Sequence, residues 1–233
     1  MKEEFWQNWA SFERQEKLKH ISKLHELLAQ RTINSLAKNG IKGFYAPDRA
    51  GALSLVMSLI PEEATVGFGD SVTLYEVGII DTLAKSSRTL INPWEKDIGH
   101  EESLQRRRRA LTCDVFLSGT NALTLDGKLV NIDGLGNRVA ALIFGPSRVI
   151  VVTGVNKLVK DVDEAIKRLK EVACPLNAIR HNHQIPCGIT GVCSECHGTT
   201  KMCRNTVIIE GELKTWFPEA RMHVVIIGEE LGF

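Results

Sequence analysis

Short β-rich runs alternate with helical segments along most of the chain, and this alternation restricts the fold more than any other feature. Several runs, such as 148–154, are continuously apolar, which is typical of strands covered on both faces. A chain of this kind is predicted to form an α/β fold with an open, mainly parallel sheet flanked by helices. The strands are predicted at 43–46, 64–68, 88–92, 114–119, 148–154, 206–211 and 223–229.

Apolar residues at helical spacing predict the helices between these strands. The first predicted helix, 13–38, ends at Asn39-Gly40, and the one at 161–172 is followed by Pro175, which is expected to end it. The remaining helices are predicted at 49–59, 71–85 and 100–112. Asp126-Gly127 predicts a hairpin turn. We divide the chain into an N-terminal helical segment, 1–40, and an α/β domain, 41–233, which includes the loop 186–204.

The overall charge and hydropathy exclude several classes of protein. The 233 residues carry a formal net charge of +1, which gives no field that would favour nucleic acid or an anionic membrane. No apolar run approaches the roughly 20 residues needed to span a bilayer. The N-terminal residues lack the apolar core of a signal peptide, so we expect a cytoplasmic protein whose thiols stay reduced.

Glycine-rich polar loops follow several predicted strands. In GFGDSVT, 67–73, glycines would let the backbone approach a ligand, and Ser71 is placed as a helix N-cap. The carboxyl ends of strands form the ligand crevice in open α/β sheets, so we predict that these loops share a pocket for a small anionic ligand. The alternative is that these residues only form tight turns and ordinary loops, in which Gly, Asn and Asp are common. The predicted ligand-binding residues are Gly67, Gly69, Ser71, Gly119, Thr120, Asn121, Gly134, Gly136, Asn137, Arg138 and Asn156.

Four consecutive arginines at 106–109 lie within a predicted helix. Four successive positions point around the whole helix, so these side chains cannot all face one ligand. We predict a solvated face in which one or two of them pair with Glu101 or Glu102.

The N-terminal helix carries aromatic residues on one face. An aromatic face of this kind more often serves packing, including the contact of a homodimer, than cofactor binding. The residues concerned are Phe5, Trp6, Trp9 and Phe12.

Four cysteines lie within one short stretch, at Cys187, Cys193, Cys196 and Cys203. Four thiols in one loop of a reduced protein predict a metal site. Zinc ribbons usually have two CxxC pairs and this loop has one, whereas irregular loops suit iron–sulfur clusters, so we favour a cluster over zinc. His197 could replace one cysteine. The remaining thiols, Cys113 and Cys174, are expected to be plain buried residues.

The chain resembles the LUD-domain family of lactate utilisation proteins. The resemblance rests on GFGDSVTLYEVGI, on the region from SGTNALTLDGKLVNIDG to KDVDEAI, on PLNAIR, on PCGITGVCSECHGTTKMCRN and on GEELGF. It implies an open sheet of the sugar-phosphate isomerase and coenzyme A transferase type. It also implies a role in lactate oxidation beside iron–sulfur partner subunits, and a [4Fe–4S] cluster on Cys187, Cys193, Cys196 and Cys203.

The resemblance leaves three functions open. The first is an electron-transfer or accessory subunit that serves oxidation of lactate or a similar 2-hydroxy acid. The second is an isomerase or acyl-transfer enzyme with a structural metal loop. Relatives of this fold usually use a carboxylate as base or nucleophile, for which Glu76 and Asp133 are the candidates. The third is a redox-sensing or assembly module.

Overall fold

The structure is a computed structural model, and it describes residues 2–217 and 219–233, with the side chains of Trp9 and of the residues from Phe12 onward. The helices are α1 (Lys2–Lys38), α2 (Arg49–Ser58), α3 (Val72–Glu76), α4 (Ile79–Ala84), α5 (His100–Arg109), α6 (Asn137–Ile143), α7 (Val162–Arg168), α8 (Cys174–Arg180) and α9 (Pro186–Thr190). The strands are β1 (Lys42–Ala46), β2 (Thr65–Phe68), β3 (Thr89–Ile91), β4 (Val115–Ser118), β5 (Ala122–Thr124), β6 (Leu129–Asp133), β7 (Arg148–Gly154), β8 (Leu158–Val159), β9 (Asn205–Ile209) and β10 (Met222–Ile227).

A six-stranded parallel sheet forms the centre of the fold, in the order β1-β10-β7-β4-β2-β3. Both of its faces are covered by helices. On β7, Ile150 and Val152 belong to the core that includes α2, α3 and α4, while Val149 and Val151 belong to the core that includes α1 and α6. Because successive side chains point to opposite faces, burial on both faces requires a continuous apolar run. The predicted α/β fold is therefore confirmed.

A second, smaller sheet has the order β8-β5-β6-β9. The predicted hairpin joins the antiparallel strands β5 and β6, and Gly127 in its turn has a φ of +86°. The strand predicted at 206–211 forms as β9, but it pairs with β6 in this second sheet. Ala165 and Leu169 from the α7 region pack against the sheet.

The helix predicted at 71–85 is interrupted. Gly78 has a φ of +79°, a left-handed conformation that ends α3 and lets α4 begin in a new direction.

The prediction that Pro175 ends the preceding helix is wrong. The helical path continues from α7 through a π-helix, Leu169–Ala173, into α8. Pro175 lies in the first turn of α8, where its missing N–H is tolerated because the wider π-helical turn has already disturbed the regular hydrogen-bond ladder.

Helix α1 differs between its two halves. From Ala29 onward one face is buried, and Leu36 belongs to the main core. In the first half, Trp9 and Phe12 are about half exposed, with ring centroids 6.1 Å apart. The side chains of Phe5 and Trp6 lie outside the described residues, so the aromatic dimer contact stays a prediction. No helix of residues 2–217 and 219–233 has the length and apolar character needed to cross a membrane.

Candidate functional site

A cavity of about 590 Å³ opens beyond the carboxyl ends of the central strands. The loops after β2, β4 and β7 and the end of β6 all contribute to its wall, as expected where parallel strands end at one edge of a sheet. The polar-glycine loops that the sequence predicts to share a pocket thus meet at one cavity. The predicted site residues that line it are Ser71, Gly119, Thr120, Asn121, Asp133, Gly134, Asn137 and Arg138.

Three of the predicted glycines lie behind the cavity wall and make room for packing. A Cβ on Gly67 would lie 2.8 Å from the Cβ of Ala110, and one on Gly69 would lie 2.8 Å from the Cδ of Arg138. Gly136 has a φ of +95° at the start of α6. These glycines shape the site, and they are not among the residues that line the cavity.

Asn156 and Glu76 hold the C-terminal segment rather than line the cavity. The Oδ1 of Asn156 accepts a hydrogen bond from the amide of Leu231 at 3.1 Å. Glu76 is exposed, and its Oε2 accepts one from the amide of Gly232 at 2.7 Å.

Arg138 ties the loops of the cavity floor together. Its Nη1 donates to Asn131 Oδ1 at 2.7 Å, and its Nη2 donates to Asn121 Oδ1 at 3.1 Å and to the carbonyl of Ile132 at 2.8 Å. Its Nε lies 3.3 Å from Asp133 Oδ2. Since most of its N–H groups already have partners, this guanidinium positions the floor.

The carboxylate of Asp133 also has partners for both of its oxygens. Besides its contact with Arg138, its Oδ1 accepts a hydrogen bond from the amide of Gly136 at 2.8 Å.

Ser71 occupies the N-cap position of α3, but its side chain makes no capping hydrogen bond. A side chain on Gly119 would collide with Ser71, since an added Cβ would lie 2.6 Å from Ser71 Oγ.

A second ion pair joins the end of β2 to α8. Arg180 donates from both terminal nitrogens to Asp70, at 2.9 and 2.7 Å, and His181 Nε2 lies 3.1 Å from the same carboxylate. The bidentate geometry fixes the plane of the guanidinium against the carboxylate. Both aspartate side chains that line the cavity are thus paired with an arginine.

Arg107 is the one arginine of the 106–109 run on the cavity wall. Its guanidinium lies 5.0 Å from the ring centre of Trp94, and its Nη1 donates to the carbonyl of Ser103 at 3.0 Å. The predicted pairing of the other arginines is confirmed: Arg106 and Arg109 contact Glu102, and Arg108 lies 3.8 Å from Glu101.

Lys157 lies at the end of the 3-10 turn that follows β7. Its side chain lines the cavity although the residue is only 3% exposed, and its Nζ donates to Thr73 Oγ1 at 2.9 Å. Burial lowers the pKa of this amine to about 7, and nearby Arg168 and Arg138 act in the same direction. No carboxylate of the described residues lies within ion-pair distance of its Nζ.

The opposite wall of the cavity includes two thiols. The Sγ atoms of Cys174 and Cys203 lie 3.2 Å apart, and both residues line the cavity. Their shared hydrogen bond raises the pKa of Cys174 and lowers that of Cys203. Cys174 is buried, as expected, but the contact with Cys203 shows that it is not an isolated thiol. Cys113 does fit that description, since burial raises its pKa to about 11.

The cysteine loop does not hold a metal site in the described conformation. Across residues 2–217 and 219–233, no three His, Cys, Asp or Glu side chains are arranged to ligate one ion. Cys187 is buried, Cys193 and Cys196 are partly exposed, and none of the three lines the cavity. The thiols suit a soft metal by their chemistry, but the described arrangement does not fit a four-thiolate site.

Comparison with protein families decides the broader relationship. A model of the LUD domain matches residues 29–227. The chain belongs to the LUD-domain family. A solved structure of a DUF162 family protein from Deinococcus radiodurans shares the fold, with a TM-score of 0.51 and 12% identity over 87% of this chain and 98% of that one. No curated protein gives a significant match.

Several residues of this LUD-domain cavity were not predicted. Asn156 was among the predicted site residues but the neighbouring Lys157 was not, and the arginines at 106–109 were predicted to form a solvated face. Arg107 follows Ser103 by four positions, which places both on one helical face, but the sequence does not indicate that this face lines the cavity. Cys174, Arg180 and His181 reach the cavity because the helical path continues through Pro175. No nearby sequence pattern predicts this course.

Proposed function

We propose that this LUD-domain protein binds a small organic anion, lactate or a similar 2-hydroxy acid or the matching 2-oxo acid, and serves its oxidation in the cytoplasm. One observation carries the proposal. The cavity is lined by four Lys or Arg residues and two Asp residues, and both carboxylates are already paired. Neither Lys157 nor Arg107 has a carboxylate partner among the described residues. Arg107 stays charged at neutral pH, so among its side chains the lining keeps an excess of positive charge, to which Lys157 adds only when it is protonated.

Arg107, together with Lys157 when it is protonated, suits an anionic ligand. A charge in a partly desolvated site is costly unless it is paired, and a bound carboxylate would provide the missing partner. Arg107 can offer a planar pair of donors to a carboxylate. Trp94, below it, supplies an apolar surface for the carbon atoms of the ligand.

An iron–sulfur cluster on Cys187, Cys193, Cys196 and Cys203 is the redox part of the proposal, with zinc as the alternative. It requires the loop 186–204 to bring these thiols closer together than in the described conformation. Support comes from the chemistry of four thiols in one loop and from Cys203, which lies on the cavity wall. When bound, such a cluster supplies one-electron transfer. Iron–sulfur partner subunits would then accept the electrons.

The anion-binding part is tested by calorimetry with lactate and pyruvate. Arg107→Gln removes one of the two cations, and we expect it to weaken binding about tenfold, the loss typical of one hydrogen bond to a charged group. Arg108→Gln is the matched control, because Arg108 is on the same helix but does not line the cavity. Equal affinities for the two variants, or no binding by the unmodified protein, would contradict the proposal.

The redox part is tested by purifying the protein without oxygen and measuring iron, sulfide and zinc. About four irons per chain, with a paramagnetic signal after reduction, would support a [4Fe–4S] cluster. Zinc at about one per chain would instead indicate that the loop is a structural zinc site. Cys196→Ser should abolish metal retention, whereas Cys113→Ala, outside the loop, should leave it unchanged.

A further inference from the structure

Lys157 is a buried amine whose only hydrogen-bond partner among the described residues is a hydroxyl. Its Nζ donates to Thr73 Oγ1 at 2.9 Å, and that hydroxyl in turn donates to the carbonyl of Leu231 at 3.4 Å. A Cβ on Gly232 would lie 3.0 Å from the Nζ, so the C-terminal segment packs closely against the amine. The amine is therefore held in place, with the cavity as its open side.

The surroundings favour the neutral form of this amine near neutral pH. Burial is the main cause, and Arg168 and Arg138 add repulsion that Glu76 offsets only in part. Arg168 cannot be neutralised locally, because its donors go to the backbone carbonyls of Asn121 and Asn156. A neutral amine carries a lone pair and is a nucleophile, as in lysines that form imines with carbonyl substrates.

We propose that Lys157 forms an imine with the carbonyl carbon of a small 2-oxo acid bound in the cavity. The choice of a 2-oxo acid rests on the proposed function. The lone pair of Nζ attacks the carbonyl carbon, the carbonyl oxygen takes up a proton, and the resulting carbinolamine loses water to leave a C=N bond. An amine and a ketone thus give an imine and water, and no oxidant is consumed. Arg107 lines the same cavity and lacks a carboxylate partner, so it can bind the carboxylate of the acid.

The experiment treats the full chain with pyruvate and cyanoborohydride, which delivers hydride to an imine and leaves a stable secondary amine. Mass spectrometry should show one adduct per chain, with the mass of pyruvic acid less one oxygen atom, on the peptide that contains Lys157. Lactate has no ketone and cannot form an imine, so it should compete and suppress the trapping. This measurement uses the unmodified protein and does not depend on a variant that folds.

Two variants and a binding measurement make the result decisive. Lys157→Arg keeps a cation but removes the nucleophile, so it should abolish the adduct, whereas Lys160→Arg changes an exposed neighbour and should not. Adducts spread over exposed lysines to the same extent in both variants would overturn the proposal. So would the absence of any adduct while calorimetry shows pyruvate binding, in which case the anion site stands and Lys157 acts only as its cation. If pyruvate and lactate do not bind at all, the proposed function fails together with the imine.

Discussion

The floor and the cysteine wall of the cavity are built in different ways. The floor consists of loops at the ends of buried strands, and Arg138 connects them through side-chain and carbonyl acceptors from β6 and from the loop after β4. The wall includes Met202 and Cys203 from the loop 186–204. Arg204 of that loop does not line the cavity, but it donates to the carbonyls of Lys201, Gly198 and Thr199 within the loop. The floor is therefore preorganised by the sheet, whereas the wall depends on contacts within its own loop.

The largest expected effect comes from Arg138→Met, which keeps an unbranched apolar stem but removes the guanidinium and its donors. Asp133 and several oxygens of the floor lose their partner, so we expect the free energy of unfolding to fall by about 3 kcal/mol. Urea unfolding followed by circular dichroism measures the change.

Arg204→Met is the matched control in the wall. Its acceptors are exposed carbonyls that water can satisfy, so the loss should stay below about 1 kcal/mol. Similar losses for the two variants would remove the distinction between floor and wall.

A second test concerns the contribution of Lys157 to the pH dependence of the free energy of unfolding. Its pKa is lowered to about 7 in the folded protein and returns to the usual lysine range on unfolding. Between these values the unfolded chain binds one more proton than the folded one, so this residue makes stability rise with pH, by at most about 1.4 kcal/mol per pH unit.

Lys157→Met should remove that contribution. Urea unfolding of both proteins between about pH 7.5 and 9.5 measures the difference, since other titrating groups are common to both. The gain in stability with pH should be smaller in the variant. Parallel curves would show that the amine stays charged in the folded protein.

The smallest expected effect comes from the ion pair that joins floor to wall. Asp70→Asn removes a partly exposed partner of Arg180, so stability should fall by only about 0.5–1 kcal/mol. The same change leaves Arg180 without its carboxylate on the cavity wall, and calorimetry should then show tighter binding of lactate or pyruvate. Weaker binding would indicate that Asp70 contacts the ligand itself.

The sequence predicted the strands well because their evidence is local. The apolar run at 148–154 must be buried on both faces, and the bounds of β7 agree with it. The glycine-rich loops were predicted to share a pocket for a similar reason, since the ends of parallel strands lie at one edge. The course of the chain beyond Ala173 was not predictable, because a π-helix overrides the usual effect of Pro175.

The sequence by itself determined the α/β fold, the loops that meet at the cavity and the concentration of thiols in one segment. The tertiary structure alone decided which charges are paired. Asp70 meets Arg180 across 110 positions of the chain, while the one side-chain partner of Lys157 in the described part of the chain is the hydroxyl of Thr73. Pairing and desolvation depend on distances between remote segments, and spacing along the chain does not contain those distances.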